Sequence, residues 1–471
     1  MKLYDTLSSG KTCFMPLNSD CVKMYVCGPT VYDFVHLGNM RSAVAYDILF
    51  RLLKALYPKV IYVRNITDID DKIINAVHSK CEDIKEFTSR YTEFFHEDMQ
   101  ELNCLEPTFE PRATEEIPCM LEIISKLIDK GHAYVVKNTV YFSVASHGAY
   151  GRLSKRKQEE MVSGTRVDID EDKRHPGDFV LWKPATDVDL RLGAYWDSPW
   201  GKGRPGWHIE CSAMSYKYCG DSFDIHGGGA DLMFPHHENE LAQNNCAFPD
   251  GVYAKYWVHN GFLTVNGGEK MSKSLGNVLT VRELKEKGVD GQVMRYVFLS
   301  THYRKPLDWN DKVVSSAKVA MKRISRACQQ LCEGYSVESD DSVQINEGVM
   351  EALLDDMNTP KAISIVHDMV TQINKMRDVE GRANLAKSLV KSMKFMGMDF
   401  VGKEIVGGED ESEWGDTSWI EASIAERNEA RRLGNFALAD RIRDELRSRG
   451  VVAVDEKDGK TSWYFEKDSD K

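Results

Sequence analysis

The segment Thr30–Asn39, TVYDFVHLGN, joins a strand-like run at Cys21–Cys27 to a run with helical spacing that stops at Pro58. Apolar residues in the second run recur at i, i+3, i+4, i+7, i+8 and i+11, which is one face of a helix. Val60–Val63 then has the composition of another strand. The order strand, helix, strand predicts a βαβ unit, whose first turn directs the N-terminus of its helix at anions.

A second segment, Glu269–Asn277, reads EKMSKSLGN and places two lysines and two serines in one short loop. Ammonium groups neutralise charge on a leaving pyrophosphate, and hydroxyls and backbone amides hydrogen-bond its oxygens, so such a loop suits a triphosphate. Lysines beside serines are also common on solvated surfaces. The loop alone therefore leaves both interpretations open.

The bulk properties indicate a globular protein of several domains. At 471 residues the chain exceeds one ordinary core, and 42% of its residues are hydrophobic against 28% charged. It contains no apolar run of transmembrane length and does not begin with a secretory signal, so a cytoplasmic location without membrane contact is expected. The eleven cysteines form no Cys-x-x-Cys pair, which argues against a disulfide framework and a zinc ribbon.

The net charge of −12 argues against a general nucleic-acid binder. A local excess of arginine at Arg427–Arg449 could nevertheless contact phosphates. A solvated helix with ion pairs such as Glu445 with Arg449 explains the same residues equally well. Trp463 and Tyr464 could stack on unpaired bases or form a small core.

His236 and Glu240 are four residues apart, so on one helical turn they face a common point where a metal could bind. Histidine and a carboxylate at this spacing are more often a plain surface pair. Cys27 and Cys211 lie far away along the chain, and spacing does not show that they converge. The neighbouring His237 and Glu238 are predicted to point elsewhere.

The two segments that suit phosphate binding together resemble the HIGH and KMSKS motifs of class I aminoacyl-tRNA synthetases. In this sequence the motifs are His36–Asn39 and Lys270–Ser274. Asn39 replaces the last histidine of the first motif, and an amide donates a hydrogen bond but does not titrate. Two further stretches, Trp196–Cys211 and Phe234–Glu240, are similar to cysteinyl-tRNA synthetases. The resemblance covers most of the chain.

This resemblance implies an α/β fold: a Rossmann-like parallel-sheet catalytic domain with an insertion, then a helical bundle and a small mixed α/β C-terminal domain. We expect the first half of the catalytic domain at 1–116, a connective insertion at 117–195, the second half with the zinc site at 196–265, the KMSKS loop and connecting segment at 266–310, a tRNA-binding helical bundle at 311–400, an acidic linker at 401–418 and an anticodon-binding domain at 419–471.

The resemblance also implies ATP-dependent activation of L-cysteine to cysteinyl-adenylate with release of pyrophosphate, then transfer to the 3′-terminal adenosine of tRNA(Cys). The implied catalytic residues are His36, Asn39, Lys270 and Lys273; the ATP-binding residues Gly38, Gly228, Asp231 and Lys273; the substrate-binding residues Gly28, Thr30, Thr67 and Trp207; and the zinc ligands Cys27, Cys211, His236 and Glu240. One Zn²⁺ per chain would select cysteine over serine through a zinc-thiolate bond, because a hydroxyl is a poor ligand. Mg²⁺ would accompany ATP, and the expected state is a monomer.

Two other functions stay open. A ligase of the kind used in mycothiol synthesis would activate cysteine identically and pass it to a sugar amine, which would leave the regions after Asp311 without a role. A non-catalytic RNA-binding relative would lose the ATP motifs, yet His36, Gly38, Lys270 and Lys273 are present.

Overall fold

The computed structural model describes residues 1–156, 171–265, 267–271, 277–329, 331–332, 342–399, 418–433, 435–448, 451–455 and 461–465. It divides into two compact units, Met1–Gly407 and Gly408–Lys471. The helices are α1 Leu37–Leu56, α2 Asp71–Lys80, α3 Ile84–Glu101, α4 Ile117–Asp129, α5 Asp187–Leu192, α6 Trp207–Cys219, α7 Glu238–Ala247, α8 Val281–Glu286, α9 Gly291–Ser300, α10 Asp311–Gln329, α11 Glu347–Leu354, α12 Thr359–Lys375, α13 Val379–Phe395, α14 Ser418–Arg432 and α15 Phe436–Ser448. The strands are β1 Lys2–Asp5, β2 Gly10–Cys13, β3 Val22–Val26, β4 Val60–Arg64, β5 Ala133–Val136, β6 Thr139–Phe142, β7 Phe179–Pro184, β8 Gly203–Pro205, β9 Ile225–Gly229, β10 Tyr256–Asn260, β11 Leu263–Val265, β12 Glu269–Lys270, β13 Leu307–Trp309, β14 Val451–Asp455 and β15 Thr461–Phe465.

A four-stranded parallel sheet in the order β10-β9-β3-β4 lies at the centre of the first unit. The predicted βαβ unit is confirmed as β3, α1 and β4, because two parallel neighbours need a crossover helix. Helix α1 ends two residues before Pro58, whose ring would disrupt a continued helix. The carboxyl ends of β3, β4 and β9 therefore meet at one edge, beside the start of α1.

The insertion builds a separate antiparallel sheet in the order β5-β6-β7-β8. Its last strand, β8, leads through Gly206 directly into α6. A Cβ at Gly206 would lie 2.1 Å from the carbonyl oxygen of Val180, so glycine permits this close approach. The insertion thereby fixes the start of the helix that carries Cys211.

Helices α9 to α13 follow the parallel sheet, and their apolar faces continue its core. In α12 the buried residues Val366, Met369 and Ile373 recur at i, i+3 and i+7, the spacing of one helical face. Arg295 of α9 is fully buried; it pairs with Asp47 of α1 and donates to the carbonyl oxygen of Met396. This arginine ties the helical region to the first crossover helix.

The second unit consists of α14 and α15 with the antiparallel hairpin β14-β15. Ile420, Ile442, Leu446 and Val451 are among its buried residues. The predicted α/β class with a helical region and a small mixed C-terminal part agrees with this architecture. The acidic linker predicted at 401–418 lies almost entirely outside the described residues, and the domain boundaries remain predictions.

Replacement of Thr280 by alanine is expected to lower the free energy of unfolding by about 1 kcal/mol. Thr280 caps α8: its hydroxyl accepts from the N–H of Glu283, and the Glu283 carboxylate accepts from the N–H of Thr280 at 2.9 Å. Urea denaturation measures the effect. Thr280→Ser keeps the hydroxyl and is the matched control; equal loss in both variants would contradict the capping role.

Candidate active site and metal centre

His36 stands at the N-terminus of α1 and caps it. Its Nδ1 accepts hydrogen bonds from the backbone N–H groups of Gly38 at 3.1 Å and of Asn39 at 3.4 Å. Because Nδ1 is an acceptor, the ring proton of the neutral imidazole is on Nε2. The Asn39 side chain is exposed beside it, so both predicted catalytic residues of the first motif lie at the positive end of the α1 dipole.

The structure brings the flanks of the two signature segments together. The N–H of Leu37 donates to the carbonyl oxygen of Leu279 at 2.9 Å, and His36 forms an antiparallel bridge with Thr280. The methyl carbon of Met271 lies 3.6 Å from the place of a Cβ on Gly38. The backbone of Lys270 is in β12, whereas Lys273 lies outside the described residues.

Gly228 lies in β9 near the carboxyl end of the strand, and its N–H and C=O groups both bond the hydroxyl of Tyr46. A Cβ at this position would lie 2.7 Å from the ring of His237. Asp231 follows in the next turn, with a carboxylate oxygen 2.3 Å from the place of a Cβ on Gly229. These predicted ATP-binding residues therefore share one edge of the parallel sheet with His36.

The four predicted zinc ligands converge at this edge of the sheet. One donor atom from each of Cys27, Cys211, His236 and Glu240 lies within 4.8 Å of all the others. The two sulfur atoms are 3.7 Å apart, and His236 Nε2 is 3.1 Å from Glu240 Oε1. Cys27 follows β3, Cys211 lies on α6, and His236 precedes α7, so three separate elements supply the cluster.

The electrostatics favour a thiolate in this cluster. Burial raises the pKa of the Cys211 thiol. The hydrogen bond from Cys27 and the nearby His236 outweigh burial and lower this pKa to about 6. Burial, together with the same hydrogen bond, raises the pKa of Cys27 well above its usual value. The lowered pKa of Cys211 favours its thiolate, which is the form of cysteine that binds a metal.

Glu240 and His236 shift each other's pKa values in opposite directions. Burial raises the pKa of Glu240, but His226 and His236 together lower it below its usual value. Burial lowers the pKa of His236, but Glu240 and Cys211 outweigh burial and raise it. Both residues are nearly inaccessible to solvent, so a cation at this place would be shielded from water.

Sequence reasoning missed two residues that orient Glu240. His226 Nε2 lies 2.9 Å and the Tyr253 hydroxyl 2.8 Å from Glu240 Oε2, which leaves Oε1 facing Cys27 and His236. Such outer contacts fix the direction of a metal ligand. The sequence around His226, a histidine before three glycines, does not predict this contact, because only the fold brings β9 against α7.

The prediction that His237 points away from the cluster is wrong. Its Nε2 lies 3.4 Å from the sulfur of Cys27, and Cys27, His226, His237 and Glu240 form a second group of suitable donors. The reason is that His237 lies three residues before Glu240, and residues three or four apart on a helix lie on the same face, so His236 and His237 both approach Glu240. Glu238 does point elsewhere: it accepts from the N–H groups of Gly151 and Ser154.

The predicted substrate residues border the same cluster. A Cβ at Gly28 would lie 1.6 Å from the carbonyl oxygen of Asn65, so only glycine allows β3 and β4 to end this close together. Thr30 and Thr67 form a parallel bridge beyond those ends. Trp207 stacks on His236 with ring centroids 4.3 Å apart and is 39% exposed, which makes it a wall of the site rather than a core residue.

The donor set fits zinc. Two sulfurs, one imidazole and one carboxylate are soft and borderline ligands that zinc accepts together, and four is its usual coordination number. The group of Cys27, Cys211, His236 and Glu240 fits better than the group with His226 and His237, because it supplies both thiols and leaves His226 bound to Glu240.

Comparison with known proteins identifies the same family over nearly the whole chain. The family described as tRNA synthetases class I (C) catalytic domain matches residues 13–319, and the DALR domain matches residues 348–401. Cysteine–tRNA ligase from Anaplasma phagocytophilum (strain HZ) is 60% identical over 98% of this chain and 99% of the relative. The ligase from Ehrlichia ruminantium (strain Gardel) is 57% identical and that from Wolbachia pipientis wMel 50% identical, each covering 98% of this chain and 100% of the relative.

The fold is similar to that of solved class I enzymes. Methionyl-tRNA synthetase of Mycobacterium tuberculosis in complex with methionyl-adenylate superposes with a TM-score of 0.56 at 15% identity, covering 80% of this chain and 89% of that one. An arginyl-tRNA synthetase from Campylobacter jejuni gives 0.53 at 12% identity, covering 81% and 94%. Among the helices described, none has the length and apolar character needed to span a membrane.

Proposed function

The chain belongs to the cysteine–tRNA ligase family of class I tRNA synthetases, and from this premise we propose that its zinc-binding cluster selects L-cysteine for activation beside the ATP site. The observation that carries the proposal is the convergence of Cys27, Cys211, His236 and Glu240 at the sheet edge where α1 begins. The sulfur of the substrate and the phosphates of ATP would thus be held at neighbouring places on one edge of the parallel sheet.

In the first step the carboxylate of cysteine attacks the α-phosphate of ATP; a carboxyl–phosphate bond forms and pyrophosphate leaves. His36 and Asn39 would donate hydrogen bonds to the phosphates from the N-terminus of α1, while Lys270 and Lys273 neutralise the leaving group together with Mg²⁺. Gly38, Gly228 and Asp231 would hold the nucleotide. The protein contributes position and charge, and no covalent enzyme intermediate is required.

In the second step a hydroxyl of the 3′-terminal adenosine of tRNA(Cys) attacks the activated carbonyl, and AMP leaves. Helices α10 to α13 and the C-terminal unit are proposed to bind the tRNA. The DALR match at residues 348–401 supports this, and it disfavours a ligase that transfers cysteine to a sugar amine. The proposed active species is a monomer.

Selection of the amino acid rests on the four proposed ligands. When bound, Zn²⁺ supplies a Lewis acid that accepts the thiolate of cysteine but binds the hydroxyl of serine poorly. Trp207 and His236 would wall the pocket around the side chain, and Thr67 would lie beside the amino group. An apolar pocket alone discriminates similar side chains by only about 1–3 kcal/mol, so a separate editing site would be required without the metal.

We expect ATP–pyrophosphate exchange to depend on cysteine, with no exchange in the presence of serine, and we expect charging of tRNA(Cys) among a panel of tRNAs. Exchange with isotopic pyrophosphate tests the first step, and charging with labelled cysteine tests the second. Exchange without charging of any tRNA would contradict the ligase assignment. Equal exchange with cysteine and serine would contradict selection by the metal.

A further inference from the structure

We propose that Glu210 binds the α-ammonium group of the cysteine substrate and thereby helps to determine specificity. The inference rests on the proposed function and deepens it, since it assigns a second recognition point within the same site. Glu210 lies on α6, one residue before Cys211, and is 2% exposed.

Glu210 is connected to the metal cluster by a short chain of hydrogen bonds. Its side chain bonds that of Thr67, and the Thr67 hydroxyl accepts from the Asn65 amide at 3.2 Å. The Asn65 amide oxygen in turn accepts from the N–H of Gly28 at 2.9 Å and lies 3.7 Å from the sulfur of Cys211. The carboxylate therefore borders the cleft formed by the ends of β3 and β4.

The second oxygen of Glu210 is unsatisfied. Oε2 is buried and has no hydrogen-bond partner within the described part of the chain. The ionisable groups that act most strongly on this carboxylate are Cys211, Asp70 and Asp68, all of them acids. A buried polar oxygen without a hydrogen-bond partner is costly, so a donor from a bound ligand would stabilise it.

Three other buried carboxylates have partners within the chain. Asp68 accepts from the N–H and the hydroxyl of Thr114, Glu116 pairs with Lys217, and Glu240 accepts from Tyr253. Asp98 and Asp189 each have one oxygen without a hydrogen bond, but Arg282 acts on Asp98 and Arg204 lies near Asp189. An ammonium group of a ligand would be such a partner for Glu210. Cysteine supplies one: its ammonium group and its sulfur are on adjacent carbon atoms, so sulfur held near Cys211 places the ammonium close to Glu210.

Three ligands that differ by one group test the inference. Cysteine carries thiol, ammonium and carboxylate; cysteamine lacks the carboxylate; and 3-mercaptopropionate lacks the ammonium. In Glu210→Gln, whose side chain has the same shape, we expect binding of cysteine and cysteamine to weaken by about 10- to 100-fold while 3-mercaptopropionate binds as before. Calorimetric titration of the metal-loaded protein measures all three, with metal content and thermal unfolding checked in parallel.

Two further variants complete the test. Glu210→Asp keeps the charge and is expected to restore part of the preference for ligands with an ammonium group. Asp68→Asn removes a neighbouring buried charge whose partner is Thr114, and it is expected to leave that preference unchanged.

An equal loss for all three ligands, no loss for any of them, or the same selective loss in Asp68→Asn would overturn the assignment of Glu210. Failure of the wild-type protein to bind any of the three thiols would instead overturn the proposed function, and this inference with it.

Discussion

Replacement of Cys211 by serine is expected to lower kcat/KM for cysteine in pyrophosphate exchange by more than about 100-fold. Serine has nearly the same shape as cysteine, but its hydroxyl is a poor zinc ligand and does not ionise at neutral pH. The hydrogen bond from Cys27 and the nearby His236 outweigh burial and lower the pKa of Cys211, so its loss removes a proposed thiolate ligand. We therefore expect zinc content to fall together with the affinity for cysteine.

Zinc per chain, measured by elemental analysis, and exchange kinetics at varied cysteine concentration check this result. Cys219→Ser is the matched control, because Cys219 is also fully buried on α6 but lies outside the cluster. It is expected to keep its zinc and its KM for cysteine. Unchanged zinc content and unchanged KM in Cys211→Ser would contradict the proposed metal site.

Replacement of His36 by alanine is expected to lower the rate of adenylate formation by about 100- to 1,000-fold, which is the usual effect of removing one hydrogen-bond donor to a developing negative charge. Because Nδ1 accepts from two N–H groups of α1, the imidazole presents its proton on Nε2. Alanine also removes the helix cap, which costs about 1 kcal/mol of stability. Single-turnover formation of the adenylate separates this effect from binding.

His36→Asn distinguishes the two roles of the histidine. Asparagine is among the best helix caps, so this variant is expected to unfold like the wild-type protein. Its shorter side chain would not reach the place of Nε2, so the rate is expected to remain low. Recovery of the full rate in His36→Asn would show that the imidazole acts only as a cap.

Local patterns in the sequence were sufficient for the elements that surround the site. The period of apolar residues and Pro58 predicted α1 between two parallel strands, and the structure has β3, α1 and β4 in that order. These predictions succeeded because periodicity and proline geometry act over a few residues and need no knowledge of distant parts of the chain.

The metal cluster shows what the sequence left open. Spacing related only His236 to Glu240, and the resemblance to a family was needed to add Cys27 and Cys211. The direction of His237 was predicted wrongly, because the i,i+3 spacing to Glu240 also places a side chain on the face of the cluster. His226, Tyr253 and Glu210 carried no signal at all, since their roles depend on partners from other elements.

The βαβ unit and the two phosphate-type motifs followed from the sequence alone, because each depends on neighbours within a few turns of chain. Tertiary packing was needed to show that Glu210 has a buried oxygen without a partner in the described residues, and that two sulfur atoms lie 3.7 Å apart in a group with His236 and Glu240. The burial of a side chain and its charged partners both depend on residues from distant segments of the chain. They exist only after β3, β4, β9, α6 and α7 have packed together.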